Sequence, residues 1–152
     1  MNAQAAKQYL TSRVLTATPE QLQLMLFDGA LRFADQARIG LEKKDYEQSY
    51  NMIGKVQKIL TELSCCLKRE INPELCDKLA GLYSFAYRKL TEANIEHKVE
   101  SLNEAVNVLK YQRETWVMLM EQLGKSKAAT AANKLDMPKP NARMEASISM
   151  QG

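Results

Sequence analysis

The stretch "TPEQLQLMLFDGALRFADQA", residues 18–37, decides the fold. Thr18 suits an N-cap, Pro19 suits the first helical turn, and Gln21 stands where a capping box wants Glu or Gln. Apolar residues then recur at helical spacing: Leu22, Leu26, Ala30, Phe33, Ala37 and, just beyond, Leu41. A second stripe, Leu24, Phe27, Leu31 and Ala34, points in another direction. A helix apolar over most of its circumference expects to be covered on most sides.

Working outward, the helical signal continues and strand-type alternation is missing. The first long helix is expected from about Pro19 to Leu41. Asp45 and Gln48 restart the pattern, and a second helix is expected from about Tyr46 to Arg69, with Ile53, Val56, Leu60, Leu63 and Leu67 on one face. In "INPEL" Asn72 caps and Pro73 opens a third helix to about Ile95, carrying Leu75, Leu79, Leu82, Ala86, Leu90 and Ala93. After "EHK" a fourth runs from about Val99 to Leu123, through Leu102, Val106, Leu109, Trp116 and Met120, with Gly124 as its expected stop. Connections this short make neighbours run antiparallel. The expected fold is all-α: an antiparallel up-down four-helix bundle over 18–124. Residues 1–17 form an N-terminal segment able to dock on it, and residues 125–152 read as a flexible tail.

Composition narrows the class. At 45% apolar and 26% charged, the chain is an ordinary globular sequence large enough for one core. No apolar run reaches the ~18 residues of a membrane span. "MNAQAAKQYLTSRV" lacks the apolar centre of a signal peptide, so a cytoplasmic location without direct membrane insertion is expected. The net charge is +3. Lys125, Lys127, Lys134, Lys139 and Arg143 against Asp136 and Glu145 place that excess in the tail, and a neutral body argues against nucleic acid.

Enzymatic chemistry finds no footing. Cys65, Cys66 and Cys76 form neither a disulfide framework nor a zinc pattern, and vicinal cysteines on a helix point ~100° apart. His97 sits in an expected turn without the orienting partner a general base needs. No Glu stands three residues before it, so the E-x-x-H of di-metal bundles is missing, as is a glycine-rich phosphate loop. Asp28 and Asp35 read as a solvated face. No cofactor and no metal are expected. What remains is an interaction protein. The third helix repeats the theme of a second face, with Cys76, Ala80, Tyr83 and Tyr87 beside its core stripe; tyrosines suit a partly wet interface. Residues 1–17, a partner chain, or each in turn would cover these faces. The alternative is a self-associating bundle, a scaffold or adaptor whose second stripe is a homodimer interface.

"RVLTATPEQLQLMLFDGALRFADQA" and "LYSFAYRKLTEANIEHKVESLNEAVNVLKYQRETW" resemble the flagellar secretion chaperone family (FliS) over about residues 7–120. The specific parts are "TATP", "LMLFDGA", L-Y-x-x-x-Y-R-x-L-x-x-A-N and L-x-x-x-R-x-x-W. The resemblance implies a bundle that binds the disordered C-terminal region of flagellin, prevents its premature polymerisation, and delivers it to the flagellar export gate, a membrane protein with a cytoplasmic domain. It implies no catalysis. It also implies contacts with a flagellin-binding translation regulator or an anti-sigma factor. Tyr9, with Leu10, matches a position used towards the export gate. Leu24, Phe27, Leu31, Ala34, Tyr83 and Tyr87 are the expected flagellin-binding residues, drawn from the stripes. Phe27 departs from the family, which usually has tyrosine there, and Trp116 matches a tryptophan read as core.

Overall fold

The computed structural model describes residues 3–136. Five helices account for nearly all of them, with no strand among the described residues: α1 Ala3–Thr16, α2 Pro19–Glu42, α3 Tyr46–Cys65, α4 Pro73–Glu96 and α5 Val99–Asp136. Contacts divide the chain between Val117 and Met118 into two compact units.

The capping residues set the starts. Thr18 Oγ1 accepts from Gln21 N–H at 3.1 Å, and Gln21 Oε1 accepts from Thr18 N–H at 3.0 Å. That reciprocal pair satisfies two of the amide donors a helix N-terminus leaves open. Asp45 accepts from Gln48 N–H at 3.2 Å and Asn72 from Leu75 N–H at 3.1 Å. His97 ends α4 in the left-handed region, φ 55°, which turns the chain sharply into α5.

In the first unit α2 and α3 pack closely. Gln48 Nε2 donates to Gln36 O at 3.0 Å, and Gln57 Nε2 reaches Thr91 Oγ1 at 2.9 Å to join α3 to α4. Partners on α2 and α5 run in opposite order: Glu20 with Trp116, Asp28 with Arg113, Arg38 with Asn103. The core holds Phe27, Ala30, Ala34, Ala37, Ile53, Val56, Leu60, Leu63, Tyr83, Leu90, Leu102 and Leu109.

Two expectations are corrected. On α2, the buried residues come from both stripes. At about 100° per residue, Phe27, Ala30, Ala34, Ala37 and Leu41 share an arc of about 80°, and all five are buried. The centre of the face is mostly alanine because small side chains let backbones approach closely. Leu22, Leu26 and Phe33 flank it on one side, Leu24 and Leu31 on the other, all half-buried.

The second correction concerns Gly124, which does not stop the last helix; α5 continues to Asp136. "KSKAATAANKLD" is rich in strong helix formers, and one glycine costs only about 1 kcal/mol against them. Residues 137–152, the rest of the expected tail, lie outside the described residues. In the second unit α5 carries exposed Met118, Leu119 and Leu123.

Candidate docking surfaces

Asp28, which read as part of a solvated face in the sequence, proves to be a fastener. Asp28, from "LMLFDGA", accepts from Arg113 Nε at 2.5 Å. Arg113 belongs to the α5 motif L-x-x-x-R-x-x-W. Its tryptophan, Trp116, donates from Nε1 to the Glu20 carbonyl at 3.1 Å, one residue past "TATP". These contacts tie the first half of α2 to α5. Sequence reasoning missed the Asp28–Arg113 pair: the two residues are 85 positions apart, and no local periodicity links them.

Beside that seam lie two grooves. The first, of about 530 Å³, runs between α1 and α2 and is bordered by Leu10, Val14, Leu22, Met25 and Leu26, with Arg13, Arg32 and Cys66 at its edges. No residue of α1 is buried, so the helix borders this groove without filling it. Tyr9 on α1 is 65% exposed. The second groove, of about 520 Å³, lies between α2 and α5 over Leu31 and Val106, with Asp28, Arg32, Asp35, Arg38 and Lys110 around it.

The expected flagellin-binding residues separate into two groups. Phe27 is 1% exposed, Ala34 0% and Tyr83 3%. They are core, and the expectation that they line an accessible second face is corrected: the small-residue centre of α2 draws Phe27 and Ala34 inward. Burial pushes the Tyr83 phenol up to about 12, with the nearby Cys66 adding in the same direction. Leu24 and Leu31 are half-buried, and Tyr87 is exposed. Leu31 faces the α2–α5 groove, whereas the Tyr87 carbonyl accepts from Gln57 of α3. The structure therefore does not gather them into one pocket.

A charged cluster joins α4 to α5. Ser101 donates to Glu92 at 2.6 Å and Lys89 bridges Glu92 and Glu104 at 3.2 and 3.3 Å. The Ser101 hydroxyl, then Lys89, holds the Glu92 carboxyl below its usual range. Hydrogen bonds to Glu92 and Glu104 raise Lys89. Among the described residues no group of three or more His, Cys, Asp or Glu is placed to hold a metal, and no helix is long and apolar enough to cross a membrane.

The described chain is thus an all-helical protein with a largely apolar groove and a charge-rimmed groove beside a motif-built seam. It belongs to the FliS family: the family model described as flagellar protein FliS matches residues 1–123. A flagellar secretion chaperone FliS of Bacillus subtilis (strain 168) is 35% identical over 108 residues, covering 71% of this chain and 80% of the relative. The Campylobacter jejuni flagellar secretion chaperone FliS is 31% identical over 115 residues, covering 76% and 90%. A solved crystal structure of a bacterial flagellar chaperone aligns with TM-score 0.64 at 19% identity, over 80% of this chain and 99% of that one. That likeness speaks to the fold.

Proposed function

We propose that this protein is a cytoplasmic flagellar export chaperone. It binds the disordered C-terminal region of flagellin, prevents its polymerisation, and delivers it to the cytoplasmic domain of the export gate. The observation that carries the reading is the combination of FliS membership with open grooves on both flanks of α2, one largely apolar and one with a charged rim. A disordered client that folds on binding loses chain entropy, so it needs an extended interface. Leu24 and Leu31 on α2 and Tyr87 on α4 lie on different faces, which suits a client that wraps around the protein. Tyr9 and Leu10 on α1 are the contact for the gate. A flagellin-binding translation regulator or an anti-sigma factor would be a further partner. No catalysis is involved. We also infer that α2 to α5 form an antiparallel up-down bundle, supported by the reversed order of partners on α2 and α5, with residues 1–17 as a docking segment.

The test is titration with a flagellin C-terminal segment. Leu24→Asp with Leu31→Asp should abolish binding while circular dichroism stays native. Both positions are half-buried, so each carboxylate still reaches water in the free protein at some cost in stability, but in the complex it is buried without a partner and costs several kcal/mol. Tyr9→Ala should keep flagellin affinity and weaken capture by the gate domain. A folded Leu24/Leu31 variant with native affinity would overturn the client site. A stable homodimer that the flagellin segment cannot dissociate would favour a self-associating scaffold.

A further inference from the structure

The α2–α5 groove carries a charge pattern that its own ion pairs leave unbalanced. Its apolar floor is the half-buried Leu31, with Val106, 4% exposed, beneath it. Of its carboxylates, Asp28 is engaged by Arg113 at 2.5 Å and Asp35 by Arg38 at 2.9 Å. Arg38 also donates to Asn103 at 3.2 Å. Two cations remain at the rim, Arg32 from α2 and Lys110 from α5, both exposed, and neither forms an ion pair among the described residues. The groove is therefore an apolar floor between an arginine on one wall and a lysine on the other.

We infer that this groove takes an amphipathic helix whose apolar stripe is flanked on both sides by carboxylates, and that Arg32 and Lys110 select it. An apolar stripe at i, i+3, i+4 and i+7 lays Leu-sized side chains on Leu31 and the edge of Val106. Glutamates beside that stripe then reach Arg32 on one side and Lys110 on the other. The guanidinium can take a carboxylate through two parallel N–H donors, whereas the ammonium acts as a point charge. A basic helix would meet two uncompensated cations over an apolar floor, so the rim acts mainly against the wrong partner. The inference rests on the export-chaperone reading only for the source of the helix, which is the client.

The test uses the full chain and two synthetic helices with one shared apolar stripe, flanked by Glu in one and by Lys in the other. The Glu helix should bind about tenfold more tightly at low salt, and the gap should close as salt rises from about 0.05 to about 0.5 M. Arg32→Glu with Lys110→Glu should reverse the preference; both residues are exposed, so the fold is retained. Equal binding of the two helices, or a preference the double reversal leaves intact, overturns the inference. A flagellin C-terminal segment separates the two levels. If the wild-type chain binds it and the double-reversal variant binds it equally well, the inference falls and the chaperone reading stands. If the wild type does not bind it, the chaperone reading falls, and the preference between the two helices still decides the groove.

Discussion

The two ends of the first unit are closed by side chains of different size. At one end the α2–α3 and α4–α5 connections meet, and the rings of Tyr46 and His97 stack at 3.7 Å. Small residues cluster there: Gly40, Ser49, Ala37, Ala93, Ser101 and Ala105 are all buried. At the other end Trp116 holds Glu20, and the apolar side chains are large. Leu22, Leu26, Leu67 and Leu79 are half-buried, while Leu75 is 50% exposed. Apolarity alone does not decide burial. Where large side chains face small ones, backbones close and the interior is dry. Where large side chains lack small complements, they stay partly wet and form grooves. The groove bordered by Leu22 and Leu26 opens at the second kind of end, while the small-residue packing at the first holds α2 and α3 together.

The largest test of the contrast is a pair of truncations on α4. Leu90 is fully buried near the closed end. Leu90→Ala should cost about 2–5 kcal/mol, the lost transfer energy plus the cavity left behind. Leu75→Ala, at the open end, should change stability by no more than about 0.5 kcal/mol. Urea melts of both variants check the ratio. Equal losses would mean that the open end is as well packed as the closed one.

Tyr83 reports how dry the interior is just beneath the open rim. Its phenol is pushed up to about 12 from 10.0. The unfolded chain therefore releases this proton first as pH rises. The contribution of Tyr83 to stability is full below about pH 10 and is lost as the pH climbs towards 12. At about 1.4 kcal/mol per unit, the loss reaches at most roughly 3 kcal/mol. Tyr83→Phe should flatten that part of the alkaline stability profile relative to the wild type. Parallel profiles would mean that water reaches the phenol.

Much of this was legible locally. Thr18, Asp45 and Asn72 mark the starts of α2, α3 and α4, because capping is chemistry between near neighbours. The motifs that carry the family likeness were legible too. The direction in which α2 faces its core was not. Weight given to Leu22, Leu26 and Phe33 pulls the expected centre towards the large residues, whereas the crossing is made on Ala30, Ala34 and Ala37. Phe27 and Ala34 were read as docking residues for the same reason, and Tyr83 because it stands beside Tyr87 on what read as a second face of α4. The Asp28–Arg113 and Trp116–Glu20 seam needs residues from opposite ends of the chain. The end of α5 was misplaced because a glycine such as Gly124 stops a helix only when the residues beyond it cannot continue one.

Gly40 sharpens the role of small residues at the closed end. A Cβ there would stand 2.9 Å from Ser49 N and 3.0 Å from Asp45 O. Both are backbone atoms at the start of α3, so neither can swing aside. The Asp45 N–H also donates to the Gly40 carbonyl at 2.8 Å, which holds the corner tight. Gly40→Ala should push α2 and α3 apart and cost about 1–3 kcal/mol. At roughly 2–4 °C per kcal/mol in a domain of this size, thermal melting should fall by several degrees. An unchanged melting temperature would show that the corner relaxes freely.

Gly81 gives the smallest effect and the opposite sign. It lies on the exposed side of α4, and a Cβ added there meets nothing within 4 Å. No turn or positive φ requires glycine at this position. In the unfolded chain glycine explores more backbone conformations than alanine, so the helix orders it at greater entropic cost. Gly81→Ala should therefore raise stability by about 0.4–1 kcal/mol, with no steric term against it. Read beside Gly40→Ala, the same substitution in the same kind of element should stabilise at one site and destabilise at the other. The sign depends only on whether a neighbouring backbone occupies the space of one methyl group. Two melting curves, each against the wild type, decide the matter. If Gly81→Ala destabilises the protein while its circular dichroism stays helical, that face of α4 is not open in solution. The contrast between a tight corner and a free helix surface then fails.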